Sequence, residues 1–437
     1  MNPSQPADAA KSKQSVFPVR ISENGRYLVD QGGVPFFYHA DTCWKLFWEF
    51  TEEDAGIYLA DRQKMGFTAI QVQLLPHRDY QANRDGQTPF LVRGDLTTPN
   101  PAYFSHVDTI ARLAEDLGVG LLIAPIWASR WEQDWYKHLN LENAAIFARY
   151  LAERYRSFPA IIGWMHGGDD DALALHDCIR VFGQTFKALA PGQINTFHAD
   201  QKGGWTFFNQ DDWYDMNMAY SYSYGQMVGQ MTEAYQLAPV RPVVLGETHY
   251  EYNTGISSAL LRRFAYASVI LGCAGQTYGH KDIWIATCFW RVAMHAPVAW
   301  QMREIARLFT SVAWQDLLPD LDHVFVIDGY GDPDTYAPSA VTSDGLLAVV
   351  YLPSARQVVL DGSKLADTAI ASWIDPASGA SKSALSCESP DNALCDASNA
   401  RPDKDAGTSS GRGFMVFETP GVNDGGDEDW LLIFKPD

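Results

Sequence analysis

Eight short apolar runs, each followed by a helix-like stretch, occupy the chain between Pro35 and His280. They are PFFYHAD (35–41), FTAIQVQLL (67–75), VGLLIAPIW (119–127), IIGWMHGGD (161–169), NTFHAD (195–200), DMNMAYS (215–221), PVVLGE (242–247) and GQTYGH (275–280). Strands that alternate with helices call for a parallel sheet, because a parallel pair needs a long crossover. The helix signals are local. Thr51-Glu52-Glu53-Asp54 opens an amphipathic run to Met65, and 104–117 and 141–155 carry apolar residues at three- and four-residue spacing. Gly66 and Gly118 stand where a left-handed residue ends a helix. Eight such units in about 300 residues suit a closed (β/α)8 TIM-type barrel. No GxGxxG or GxxxxGK[ST] follows an early run, which counts against a dinucleotide or P-loop fold.

The composition changes near Leu318-Pro319-Asp320. From Asp320 onward there are 20 acidic and 7 basic residues, net −13, against −7 for everything before it. Twelve of the 14 tryptophans also precede Asp320. The short runs that follow, such as LLAVVYL (346–352), IASWI (370–374) and WLLIF (430–434), are separated by Gly, Pro, Asp and Ser. The expected organisation is a disordered arm over 1–15, a barrel over 16–319 and a small all-β sandwich over 320–437. Residues 377–412, rich in Ser, Ala, Asp and Gly, read as a surface insertion in that small domain, whose expected role is to pack against the barrel and stabilise it.

A net charge of −20 leaves no basic surplus to replace counterions, so no nucleic-acid partner is expected. No apolar run reaches the roughly 20 residues of a membrane span, and no membrane partner is expected. The first residues, MNPSQPADAAKSKQSVFP, lack the apolar core of a secretory signal. The oligomeric state stays open. Six cysteines show no CxxC; Cys387 and Cys395 read as free thiols that pair only in an oxidising compartment, and the other four as buried.

In a barrel of this kind the site lies where the strands end, so the polar residues closing each run are the candidates. They include Asp41, Trp44, Gln73, His77, Trp127, Asp169, His198, Tyr220, Glu247, Tyr250, Glu251, Tyr278 and His280. Asp169 and Glu247 close the fourth and seventh runs, on opposite sides of an eight-stranded barrel. Two carboxylates facing a pocket ringed by Trp and Tyr are what glycoside hydrolysis needs, one to protonate the leaving oxygen and one to attack carbon or activate water. Aromatic faces suit a sugar ring, and Asn, Gln and His suit its hydroxyls. His39-x-Asp41, His198-x-Asp200 and the acidic run 169–171 offer a competing metal set, but HExxH and HxH are missing, and neither a metal nor another cofactor is expected. No GxSxG nucleophile elbow follows any of the eight runs. Asp170 and Asp171 are expected to start the next helix, where negative charge suits the dipole.

Several longer stretches then resemble the apiosidase-like glycoside hydrolases, glycoside hydrolase family 140. They are PFFYHADTCW (35–44), YLADRQKMGFTAIQ (58–71), YFSHVDTI (103–110), ERYRSFPAIIGWMHGGD (153–169), PVVLGETHYE (242–251), GQTYGHKDIW (275–284) and DWLLIFKP (429–436). The resemblance implies a barrel with a small C-terminal β domain and a catalytic pair of Asp169 and Glu247. By analogy with barrel glycosidases it implies Asp169 as acid/base and Glu247 as nucleophile. It places Asp41, Trp44, Gln73, His198, Tyr250, Glu251, Tyr278 and His280 around the sugar. His39-Ala40 stands where a glycine is expected before Asp-Thr, a departure that would reshape the subsite. The competing readings are a non-catalytic carbohydrate-binding relative and a metal-dependent hydrolase.

Overall fold

The computed structural model describes residues 16–130, 133–388 and 413–436. The expected arm at 1–15, Cys395 and most of the 377–412 stretch lie outside them. Eight parallel strands form the first part: β1 (Tyr38–Thr42), β2 (Ala69–Gln73), β3 (Gly120–Ala124), β4 (Ile161–Gly167), β5 (Ile194–His198), β6 (Asn217–Tyr220), β7 (Val243–Glu247) and β8 (Gly275–Tyr278). Their order is β5-β4-β3-β2-β1-β8-β7-β6. The remaining seam, between β5 and β6, is closed by a bridge of Thr196 to Met216, so the sheet curls into a barrel. The strands are buried along almost their whole length, which is why they read as apolar runs.

The outer helices are α1 (Glu52–Lys64), α2 (Pro101–Leu117), α3 (Leu141–Tyr155), α4 (His176–Leu189), α5 (Tyr224–Gln236), α6 (Ser258–Ile270) and α7 (Pro297–Thr310). Thr51, Asn100, Asn140, Ser223 and Ser257 cap five of these with side-chain oxygens, each worth about 1 kcal/mol. The crossover from β5 to β6 carries only the four-residue helix Trp205–Phe208. The first apolar run is split. Pro35–Phe36 joins Arg20–Ile21 and Leu28–Val29 in a small antiparallel sheet, and the barrel strand begins at Tyr38. No helix among the described residues is long and apolar enough to cross a membrane.

The C-terminal part holds a six-stranded and a four-stranded antiparallel sheet. In Ala348–Leu352 and Trp430–Lys435 every second residue faces the other sheet: Ala348, Val350, Leu352, Leu432 and Phe434 join a core with Val358, Leu360 and Phe417. The alternate residues Val349, Tyr351, Leu431 and Ile433 pack instead on Leu261 and Tyr266 of α6 and on Val298 and Met302 of α7. A sheet buried on both faces explains the unbroken apolar runs there. Leu318–Pro319 pairs with Ala340 and Val341, so the first strand of the C-terminal sheets lies where the composition changes. Ser381–Ser383 pairs with Ser372–Ile374, so the stretch expected as a surface insertion begins with a sheet strand. Cys43, Cys178 and Cys273 are buried, whereas Cys288 is exposed in the loop between β8 and α7. A groove of about 480 Å³ crosses these sheets beside Val324 and Lys364. Its Asp320 carboxylate is spent on the backbone N–H groups of Val324, Phe325 and Val326, so it offers no chemistry.

Candidate active site

Strand parity sorts the candidates first. Tyr38, Gln71 and Thr277 point into the lumen, where the Gln71 amide donates to the Gly246 carbonyl (3.0 Å) and the Thr277 hydroxyl (2.7 Å). One residue along each strand, the side chain faces the helices. Asp41 is therefore not a sugar-lining group. It is fully buried, accepts from Tyr58 Oη at 2.8 Å and Arg62 Nη1 at 3.3 Å, and ties β1 to α1. Tyr278 has the same parity, packs with Phe37, Phe67 and Met302, and donates to Glu251 at 2.5 Å. Glu251 also accepts from the Val298 N–H at 3.0 Å, which fixes the start of α7. His280 is buried and caps the short helix Lys281–Trp284, its Nδ1 accepting from the Asp282 N–H. The structure thus moves Asp41, Glu251, Tyr278 and His280 from the sugar subsite to the framework. His39 does not reshape the subsite either, since its ring stacks between Phe37 and Phe67. Burial lowers its pKa to about 3, so it stays neutral.

What the strand ends do bring together is a compact cluster. One ligand-capable atom each of Asp169, His198 and Glu247 lies within 4.8 Å of the other two. Glycines at the ends of two strands make this possible. Gly167 has φ +91°, and a Cβ there would sit 2.1 Å from the His198 carbonyl oxygen. That oxygen accepts from the Gly168 N–H at 3.0 Å, and the Gly167 carbonyl accepts from the Ala128 N–H at 2.8 Å. The chain turns through a space only glycine fits and delivers Asp169 half-exposed. Gly167→Ala should cost about 1–3 kcal/mol and lower turnover as well, checked by urea unfolding and assay of the same sample. On β7 the register shifts after Leu245, and Glu247 comes to lie opposite Tyr220.

Around the three groups stands an aromatic wall. The Trp44 and Trp127 rings are 4.8 Å apart, and the His198 ring lies 5.0 Å from Trp127 and 4.8 Å from Tyr220. Trp44 Nε1 donates to Tyr250 Oη at 3.1 Å. Tyr222 donates to Glu247 Oε1 at 3.1 Å. Burial, reinforced by the Glu247 charge, pushes the Tyr220 and Tyr222 hydroxyls far up, so both keep their protons. Sequence reading missed Tyr222, which lies in the bend just after the strand that ends at Tyr220. Gln73 and His77 stand beside this wall. Gln73 pairs with Gln133 at 3.4 Å, and His77 packs on Trp48 with its pKa lowered by burial to about 4. Asp170 and Asp171 do not start a helix. Asp170 grips Arg130 and the Ala172 N–H, Asp171 pairs with Lys202, and α4 begins only at His176.

A family model described as "Apiosidase-like, catalytic domain" matches residues 22–316. The chain belongs to this apiosidase-like family. The match covers the barrel from the small N-terminal sheet to the turn after α7, and with it Asp169 and Glu247. A solved "Glycoside hydrolase" is similar over 97% of this chain and 99% of its own, at 24% identity and TM-score 0.81. A glycoside hydrolase family 5 protein from Bacteroides vulgatus ATCC 8482 is similar over 97% and 95%, at 23% identity and TM-score 0.80. An endo-1,4-beta-mannanase from Rhizomucor miehei covers 67% of this chain and 99% of its own, at 12% identity and TM-score 0.51. The first two share the fold of the barrel and the C-terminal sheets together. No curated protein sequence matches the chain. Membership in the apiosidase-like family makes the protein a glycoside hydrolase, with carbohydrate as its class of substrate.

Proposed function

We propose that the protein releases a terminal sugar, an apiose or another furanose, from a short plant-type oligosaccharide with retention of configuration. One observation carries this reading: carboxylate oxygens of Asp169 and Glu247 lie within 4.8 Å of each other at the ends of β4 and β7. Retention uses carboxyl groups about 5–5.5 Å apart, whereas inversion needs about 6.5–9.5 Å to admit a water. Protonated Asp169 gives its proton to the leaving oxygen as Glu247 attacks the anomeric carbon, forming a glycosyl ester. Asp169, now a carboxylate, takes a proton from water, whose oxygen displaces Glu247 and frees the sugar. Trp44, Trp127 and Tyr250 supply apolar faces for the ring, and Tyr222 holds Glu247 in line.

The same three groups favour a second reading, a metal-dependent hydrolase. Against it stands His198, whose Nε2 lies 3.0 Å from Glu247 Oε2 and whose Nδ1 lies 3.3 Å from the Gly168 carbonyl. An imidazole donating at both nitrogens has no lone pair for a metal. Sugar release should therefore be unchanged by a chelator; loss on chelation with recovery on adding a divalent ion would favour the second reading. The decisive assay is a panel of aryl and natural glycosides that includes β-apiosides, followed by NMR of the first-formed anomer. The expected result is release of one furanose with its configuration kept, and inversion would break the assigned roles.

A further inference from the structure

We propose that His198 is the positioning residue of this site, a buried cation that fixes the negative charge on Glu247 and so decides which carboxylate attacks and which carries the proton. The inference rests on the reading of Asp169 and Glu247 as the catalytic pair. The His198 side chain is 0% exposed and so presents no face to a sugar, contrary to its expected place in the subsite. Its two partners determine its state. A backbone carbonyl can only accept, so the nitrogen facing Gly168 carries hydrogen. The nitrogen facing Glu247 also carries hydrogen if that carboxylate is ionised, and the Tyr222 hydroxyl donates to its other oxygen. Two donors on Glu247 and two hydrogens on His198 describe an imidazolium–carboxylate pair.

The groups facing the imidazole come from five elements: Asp169 after β4, Glu247 on β7, Tyr220 on β6, Trp127 after β3 and Trp44 after β1. Tyr220 remains neutral, so the charges facing His198 are the two carboxylates. Burial alone would drive the proton off His198. The bond to Glu247 and the charges of Glu247 and Asp169 outweigh burial and hold its pKa above the ordinary value. The cation is then complete at low pH and is lost as pH rises through that elevated pKa. The hydrogen bond breaks the symmetry of the pair, because it runs to Glu247. Glu247 stays anionic, and Asp169 is left as the group that exchanges its proton.

The test begins with NMR titration of histidine-labelled wild type and Glu247→Gln, which needs no substrate. His198 should titrate above about 6.5 in the wild type and move clearly lower in Glu247→Gln. Titration at or below that value, or no movement in the variant, would overturn the proposal. The second arm is His198→Gln, which keeps a donor but no charge. Its kcat should fall about 10²-fold with KM little changed, and the acid limb of kcat/KM should move to higher pH. Wild-type kcat and an unmoved profile would reduce His198 to a packing residue. A wild type silent on every glycoside would sink the glycosidase reading alone, since the titration decides the bridge independently.

Discussion

Glu247→Gln should lower kcat/KM by about 10³-fold or more while leaving the unfolding midpoint nearly unchanged. Glutamine has the same shape and can still accept from Tyr222, but it cannot form the glycosyl ester. The loss should lie in kcat, because the aromatic wall that binds the ring is untouched. Added azide separates the two carboxylates further. With a small residue at 247, azide can enter the vacated space and displace the leaving group once, giving a glycosyl azide of inverted configuration. With Asp169→Ala, azide should instead intercept the ester and give the retained product. The opposite pattern would exchange the roles assigned to Asp169 and Glu247, and near-wild-type turnover by Glu247→Gln would remove Glu247 from the mechanism.

Arg262→Ala should be the most destabilising single change, at about 3–5 kcal/mol, read as a fall in the urea midpoint. Arg262 lies on α6, fully buried, and reaches across to the C-terminal sheets. Its Nε and Nη2 hold the two oxygens of Asp429 at 3.0 and 2.6 Å, and Nη1 donates to Gln301 at 2.9 Å. Asp429 also accepts from Tyr351 at 2.8 Å and from Asn423 at 2.8 Å. Removing the cation leaves Asp429 buried without its counter-charge, which costs more than the lost bonds themselves. Arg262→Met with Asp429→Leu should therefore recover much of the loss, since an apolar pair of similar size avoids the desolvation penalty. Additive loss in the double variant would show that the two side chains act separately. Because α6 directly follows the strand and loop that carry Glu247, this cluster also ties the C-terminal sheets to that side of the barrel.

The barrel was legible because a buried parallel strand has to be apolar on both faces and its helix has to be amphipathic. Those patterns are local, and eight of them in series leave few alternatives. That Asp169 and Glu247 meet in one cluster was foreshadowed in a related way, since each is a carboxylate that ends an apolar run and is preceded by glycine. Asp41 and Tyr278 also stand at polar strand ends and have a different role. Strand parity turns both toward the helices, where Asp41 meets Arg62 and Tyr278 meets Glu251. The exact start of the C-terminal sheets was not legible, because composition averages over many residues whereas the strand at Leu318–Pro319 is set by two backbone pairings.

By itself the sequence determined the order of the elements and the family, and it put Asp169 and Glu247 at the ends of the fourth and seventh runs, since each is written in contiguous residues. Only the tertiary structure decided which polar strand ends share a pocket. It put Tyr222 and His198 on Glu247 and sent Asp41 to a buried ion pair. Those outcomes depend on strand parity, a register shift at Glu247 and a left-handed glycine at 167, each of which moves a side chain by several ångströms without changing the pattern of apolar residues.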